Sequence, residues 1–313
     1  MAVPFSGLNH SQRGVALITA LLVVALATVA AVAMAARQQL DVRRTANLLD
    51  GDQAYAYALG VESWARVVLT RDEAQVDRLD EDWAKRLSPI AVQGGQVDGF
   101  ISDLQGRFNL NNLIAQDGQQ ISEADLRYFQ RLLRVLEIDD QLAIAMLDWI
   151  DVDFETRFPA GAEDDYYLSL QPPYRFANRR FQSISELRLV KGVTPEIWSR
   201  LAPYISALPE RTVLNVNTAQ APLFAALSEE LSLRDGEQLV TARGEGGYDA
   251  LGDFLGQELF AGREIEEGML DIKSSYFLLR GEIDVGTARS QLFSVLHRNK
   301  TGVRTLARTQ GTW

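Results

Sequence analysis

From Val15 to Ala36 the chain runs through 22 consecutive residues without a charge. At a rise of 1.5 Å per residue this makes about 33 Å of helix, enough to cross a hydrocarbon layer of about 30 Å. The apolar pattern continues past Ala36 in a different form. Leu40, Ala46, Leu49, Ala54, Ala58, Val61, Ala65 and Val68 recur at helical spacings, with charges on the other side and only Gly51 and Gly60 interrupting. The two patterns together predict one helix of some 55 residues, apolar all round in its first half and amphipathic in its second.

The periodicity then changes. The stretch "LTRDEAQVDRLDEDWAKRLSPI" is polar and closes at Pro89, which reads as a surface excursion with a short helix. "GGQVDGFISDLQGRFNL", Gly94 to Leu110, reads as a strand entry and turn, and helical patterns such as Glu123 to Leu136 and Gln141 to Ile150 dominate from Asn109 to Leu270. Three β-rich runs close the chain, "SSYFLLRGEIDVG", "RSQLFSVLHRN" and "GVRTLARTQ", separated by short turns, and they predict an antiparallel meander. Tyr276, Leu278, Arg280, Glu282 and Asp284 share one parity; Phe277, Leu279, Ile283 and Val285 take the other, so one face is the more buried. Pairing the strand near Val97 with the three late runs gives an α+β fold. It has a four-stranded antiparallel sheet, the long N-terminal helix, and a large all-α domain inserted between the first and second strands.

Composition narrows the chemistry. Residues 1 to 36 hold Arg13 and no acid, so the formal charge of −11 leaves about −12 on the rest, which repels nucleic acid and anionic headgroups. There is no cysteine, which excludes disulfides, thiolate zinc sites and cysteine nucleophiles. The two histidines are His10, ahead of the apolar run, and His297, inside an apolar alternation near the C-terminus, so a histidine-based triad or zinc site is not expected. Gly-x-Ser-x-Gly, Walker A and His-Glu-x-x-His are all missing, so no enzyme is expected.

Three fates suit the apolar run: a lasting membrane anchor, a secretory signal removed at the small-x-small site Ala33 to Ala35, or a buried core helix. Length favours the anchor, since a signal's apolar region usually spans about 7 to 15 residues. The Arg13-Gly14 pair, the long hydrophobic helix and its amphipathic continuation resemble the type IV pilin and type II secretion pseudopilin class. That resemblance implies that prepilin peptidase cuts after Gly14, leaving Val15 as an N-methylated first residue with the helix retained. The fifth mature position, a glutamate in most members, is then Thr19, whose hydroxyl can bond the Val15 carbonyl four residues back.

Two features of the helical region invite a ligand. "FNLNNL" and "LNVNTAQAPLFAAL" share an Asn-x-Asn phrase, and "SISELRLVKGVTPEIWSRLAPYI" with "GEQLVTARGEGGYDALGDFL" resembles helix-hairpin-helix modules. The phosphate-binding turn is degraded to Gly192-Val193-Thr194 and the body is acidic, so no nucleic-acid partner is expected; Asn215 and Asn217 read as local backbone caps. The second feature is "DWIDVDFETRFPAGAEDDYY", which packs Asp148, Asp151, Asp153, Glu155, Glu163, Asp164 and Asp165 into eighteen residues. Such carboxylates are either spread through solvent or held by a hard cation. The spacing is not that of an EF-hand, because Thr156 and Ala162 stand where Gly and Glu are required. Pro159 and Gly161 can fold the loop so that Asp151 and Asp153 oppose Glu163, Asp164 and Asp165, a set suited to Ca²⁺ over Mg²⁺.

Taken together, the leader junction, helix, acidic loop, Asn-x-Asn phrase and terminal strands resemble the minor pseudopilin K family of the type II secretion system. The resemblance implies a leader at 1–14, a transmembrane segment at 15–36, a helix continuation and first strand at 37–108, the helical insertion at 109–270 and the late strands at 271–313. It also implies a structural calcium site in the acidic loop. The expected partners are pseudopilins I and J in a tip complex that initiates and limits pseudopilus growth, the major pseudopilin and inner-membrane assembly platform, prepilin peptidase and exported substrates. The expected place is the inner membrane, single-pass, with a cytoplasmic N-terminus and the bulk of the chain periplasmic. A minor pilin of a type IV pilus or competence system, and a secreted calcium-dependent binding protein, are the alternatives.

Overall fold

The computed structural model describes residues 11–72, 75–115 and 120–311; most of the expected leader, with His10, lies outside the described residues. One helix, α1 (Ser11–Arg71), runs unbroken for 61 residues through both Gly51 and Gly60. Its apolar half touches nothing: from Val15 to Leu49 every described position is exposed. Packing begins at Ala54 and continues through Ala58, Val61, Ala65 and Leu69, all buried on one stripe at helical spacing.

After α1 come β1 (Leu87–Val92) and β2 (Gly95–Asp103). The chain then leaves the sheet for β3 (Phe108–Asn109), α2 (Glu123–Val135), α3 (Leu142–Ile150), α4 (Asp164–Tyr167), α5 (Pro195–Leu201), β4 (Ile205–Ser206), β5 (Leu214–Asn215), α6 (Ala221–Ala225), α7 (Leu233–Arg243), α8 (Leu251–Leu255) and β6 (Leu270–Asp271). It returns as β7 (Tyr276–Val285), β8 (Ala288–Asn299) and β9 (Gly302–Gln310). The sheet has five strands in the order β1-β2-β7-β8-β9, each antiparallel to its neighbours.

The expected four-stranded sheet is therefore one strand short. The extra strand, β1, lies in the segment read as a polar excursion, where Pro89 argues against a strand and only an edge position tolerates it. The rest of that excursion does lie largely at the surface, but not as a short helix. Its described residues form turns, and they bury Trp83 at 1% and Asp77 at 0% exposure.

Packing on the two faces of the sheet differs. The α1 stripe covers Val97, Ile101, Phe277, Leu279, Ile283, Leu292 and Leu296. A glycine pair lets the helix approach: Gly99 and Gly281 are cross-strand partners, and a Cβ on Gly99 would stand 2.8 Å from Val61 Cγ1. On the opposite face Leu208, from the helical region, packs with Leu104, Tyr276, Leu278, Phe293 and Val295. The parity of Phe277, Leu279, Ile283 and Val285 is the more buried, as the alternation predicts, and Tyr276 and Leu278 on the other parity are covered as well. The helical region has its own larger core, built on Phe129, Leu132, Met146, Trp149, Leu187, Phe224 and Phe254 among others.

A buried polar node joins the two lobes. Asp103, at the end of β2, accepts hydrogen bonds from Thr218 Oγ1 at 2.5 Å, Ser274 Oγ at 2.7 Å and Asn215 Nδ2 at 3.0 Å. Beside it, Arg298 of β8 donates to both oxygens of Asp77, at 2.5 and 2.6 Å, and to Asp72 at 2.7 Å.

Candidate functional site: the acidic loop

Helix α3 is apolar along most of its length and ends by delivering two carboxylates. Asp148 sits in its last turn with no exposed surface, and Asp151 caps its C-terminus in extended conformation. The chain loops out and returns at Glu163, the residue before α4. The fold-back depends on Gly161, where a Cβ would lie 2.2 Å from Asp148 Oδ2. Lys191 fastens the return by donating to the Gly161 carbonyl at 3.0 Å, with its ammonium 5.0 Å from the Tyr166 ring centre.

Oxygens of Asp151, Asp153 and Glu163 come within 4.8 Å of one another. The predicted opposition of the two acidic groups thus forms for three of the five residues. Asp164 stands next to them with a buried, unpartnered Oδ1, while Asp165 is exposed. Asp151 Oδ1 and both oxygens of Glu163 are also buried without a hydrogen-bond partner.

Two participants are additional to the predicted set. Arg157 reaches from the loop into the cluster, donating Nη1 to Asp148 at 3.0 Å and to Asp151, and Nη2 to Asp153 at 3.0 Å. Its backbone N–H also donates to Asp148 Oδ2 at 3.0 Å. Arg157 was legible as a lone cation four residues after Asp153, a spacing that pairs side chains; Asp148 was legible as an acid on an otherwise apolar helix.

One guanidinium against Asp148, Asp151, Asp153 and Glu163 leaves three negative charges uncompensated in a half-buried space. Burial pushes the Glu163 carboxyl up to about 8, reinforced by repulsion from Asp148, Asp151 and Asp153. Burial likewise pushes Asp151 up to about 7 against the pull of Arg157, and raises Asp148. Oxygen-only donors, several of them unpartnered, fit a hard divalent cation.

The Asn-x-Asn phrases do more than cap locally. Asn111 donates to the Phe181 carbonyl and accepts from its N–H, at 2.9 and 2.8 Å. Asn112 clasps Thr212 in the same two-point way at 2.7 and 3.1 Å, and Asn217 clasps Tyr248 at 3.0 and 2.7 Å. Each phrase follows a short parallel pairing, β3 with β4 and β5 with β6, so the helical region consists of two similarly braced halves. The helix-hairpin-helix likeness is looser: the first "helix" of residues 184–189 is a 3₁₀ segment.

At the other end of the molecule, Gly14 and Val15 lie in the first turns of α1, and Val15 is 62% exposed. The Thr19 hydroxyl stands 3.0 Å from the Val15 carbonyl, as its position predicts, and 3.0 Å from that of Ala16. A single helix with a span-length uncharged segment, continuing into an antiparallel sheet, is the architecture of a pilin-type subunit.

Comparison with known proteins specifies the class. Two family models described as type II secretion system protein K match residues 106–210 and 214–273, one on each braced half. Type II secretion system protein K of Pseudomonas aeruginosa is 39% identical, covering 97% of this chain and 94% of its own, and that of Aeromonas hydrophila is 37% identical, covering 92% and 94%. Among solved structures, the GspK–GspI–GspJ complex of the enterotoxigenic Escherichia coli type 2 secretion system contains a chain that matches with a TM-score of 0.76 at 26% identity, covering 86% of this chain and all of that one. The chain belongs to the type II secretion system protein K family, the minor pseudopilins of that system.

Proposed function

We propose that the chain is the subunit at the tip of the pseudopilus, joined there to pseudopilins I and J, and that it starts filament assembly and limits it. The observation that carries this reading is Thr19. A carboxylate in its place, with no subunit above to pair it, would cost at least about 2.5 to 3.5 kcal/mol in lipid. The threonine hydroxyl instead finds its acceptor within its own helix. The helical lobe, inserted at 109–270 and seated on the outer face of the sheet through Leu208, adds bulk where another subunit would stack. The solved GspK–GspI–GspJ complex supports the choice of partners.

On this reading prepilin peptidase cuts after Gly14 and Val15 becomes the methylated N-terminus. Residues 15–36 hold the chain in the inner membrane, with the bulk of it periplasmic. Asp151, Asp153 and Glu163, with Asp164 adjacent, hold a structural Ca²⁺ whose charge offsets the excess left by Arg157. Asp165 contributes to the field of the loop from the surface. The site orders the loop between α3 and α4.

Co-expression with the neighbouring I and J subunits tests the assignment. A ternary complex on size exclusion, with a mature mass beginning at methylated Val15, is the expected result. A chain that stays monomeric with both partners would sink the tip assignment, and a start at Ala36 or Arg37 would sink the pilin-type anchor. For the metal, chelation should lower the melting temperature and added Ca²⁺ restore it; no bound metal and no shift would remove the site.

A further inference from the structure

The acidic loop carries a cation of its own. Arg157 reaches into the cluster between α3 and α4, and its guanidinium is held by three carboxylates. Both oxygens of Asp148 serve it, Oδ1 accepting from Nη1 and Oδ2 from the backbone N–H, each at 3.0 Å. The same Nη1 donates to Asp151 Oδ2, and Nη2 donates to Asp153 Oδ2 at 3.0 Å. Lys191, a second cation against this loop, is turned to the Gly161 carbonyl and the Tyr166 ring instead.

Two of these three carboxylates belong to the set that fits a divalent ion. Asp151 and Asp153 are both partners of Arg157, and both lie within 4.8 Å of Glu163, oxygen to oxygen. Glu163 takes no part in holding the guanidinium. It is 5% exposed, and both its oxygens, like Asp151 Oδ1, are buried without a hydrogen-bond partner. Asp153 Oδ1 already accepts from the Glu155 N–H at 2.8 Å. An ion settling on these oxygens therefore shares its ligands with a guanidinium, and two cations held so close in a half-buried space repel.

We propose that Arg157 is a built-in antagonist of the divalent cation. In the empty loop it keeps the converging carboxylates of Asp148, Asp151, Asp153 and Glu163 from driving one another apart. In the filled loop it is a positive charge beside a double positive charge, so it lowers the affinity of the site it helps to assemble. Arg157 is thus a positioning residue, which ligates no metal and acts through Asp151 and Asp153. The antagonism rests on the Ca²⁺ reading of the loop and adds its strength. The expected Kd is about 0.1 to 1 mM, the range of sites that meet the ion outside the cytoplasm.

The test titrates CaCl₂ into the chelator-stripped full chain in detergent, by calorimetry, and follows Tm with and without the ion. Arg157→Gln should bind Ca²⁺ at least about tenfold more tightly than the wild type. Arg157→Lys, which keeps the charge and loses the fork, should stay within about threefold of the wild type. Without metal, Arg157→Gln should melt below the wild type, and saturating Ca²⁺ should close that gap. A purely structural arginine would leave the gap open at saturation. Equal or weaker binding by Arg157→Gln, tightening by Arg157→Lys to the level of the Gln variant, a gap that persists with Ca²⁺, or a wild-type Kd below about 10 μM would each overturn the antagonism while leaving the site in place. If neither the wild type nor Arg157→Gln takes up Ca²⁺, the site itself falls, and the antagonism with it.

Discussion

Among the described residues Glu62 is the one fully buried charged residue of α1, and its removal should loosen the helix from the head. Its carboxylate accepts from Ser294 at 2.6 Å, from Thr305 at 2.7 Å, and from Arg308 at 2.6 and 2.8 Å, so α1, β8 and β9 converge on one group. In Glu62→Ala the Ser294 hydroxyl, at 0% exposure, loses its partner, which costs about 1 to 3 kcal/mol. Arg308 is 44% exposed in its side chain, so solvent screens that pair and it adds only about 0.5 to 1 kcal/mol. A total near 2 to 3 kcal/mol corresponds to a fall in Tm of about 5 to 10 °C for a body of this size. Circular dichroism melts of the chain from residue 37 onward measure it. The pH dependence supplies a second check. Burial alone would push Glu62 up, but the bonds from Arg308, Ser294 and Thr305 outweigh it and bring the carboxyl from 4.5 down to about 2. A depressed acid stabilises fully above its unfolded value and loses that stabilisation as pH falls through the folded one, so the window runs from about 4.5 down to about 2. The gap between wild type and Glu62→Ala should therefore be widest near neutrality and shrink through that window. A Tm change below about 2 °C, or a gap that does not change on acidification, would refute the reasoning.

The glycine pair under α1 gives a steric prediction: Gly99→Val should overpack against Val61 and cost about 1 to 3 kcal/mol, with Val61→Ala in the same chain recovering at least about half, both read as Tm. If Val61→Ala adds to the loss, the clash lies elsewhere. Asn217→Ala removes a donor and an acceptor that both serve Tyr248, leaving buried backbone groups unpaired, and should destabilise the second braced half by about 2 to 3 kcal/mol in denaturant unfolding. In the acidic loop, Asp151→Asn with Glu163→Gln relieves the carboxylate repulsion, so it should abolish the Tm response to chelators while leaving the chelated protein at least as stable as the wild type. A response that persists in this double variant places the metal elsewhere.

The long helix and the late strands were legible because each obeys a single period over many residues: 61 helical residues in one run, and three strands of alternating pattern. The segment from Leu69 to Pro89 was not, because its buried residues are few and paired. Asp77 looks like one more surface acid until Arg298, 221 positions along the chain, is found beside it. Trp83 is an isolated apolar residue among charges, without a period to mark it. The acidic loop was half legible for the same reason. The turn at Pro159 and Gly161 could be seen, and it brings Asp151, Asp153 and Glu163 together. That Arg157 would turn inward and Asp165 outward depends on the placement of α3 and α4, which no local pattern encodes. The asparagines were recognised as local backbone partners, and Asn109 and Asn215 do accept from the N–H two residues on, but Asn111, Asn112 and Asn217 also clasp backbone 31 to 100 residues away, which no local pattern shows.

The polar node between the lobes explains how so large an insertion keeps one position on a small sheet. Burial pushes Asp103 up and raises Asp77 to about 7 even beside Arg298, so these charges are costly to hold where they are. Apolar residues of similar volume would stabilise the junction as well or better, but apolar contact is non-directional and would let the lobe slide. Hydrogen bonds from Asn215, Thr218 and Ser274 to a single carboxylate are satisfied in one arrangement only. Asn215 belongs to β5, Ser274 precedes β7 and Asp103 ends β2, so the node fixes the second half of the helical lobe to both strands that flank it in the chain. The outer face of the sheet then carries Leu208 at a fixed height. The cost of burying the node is thus tied to the orientation of the helical lobe on the sheet.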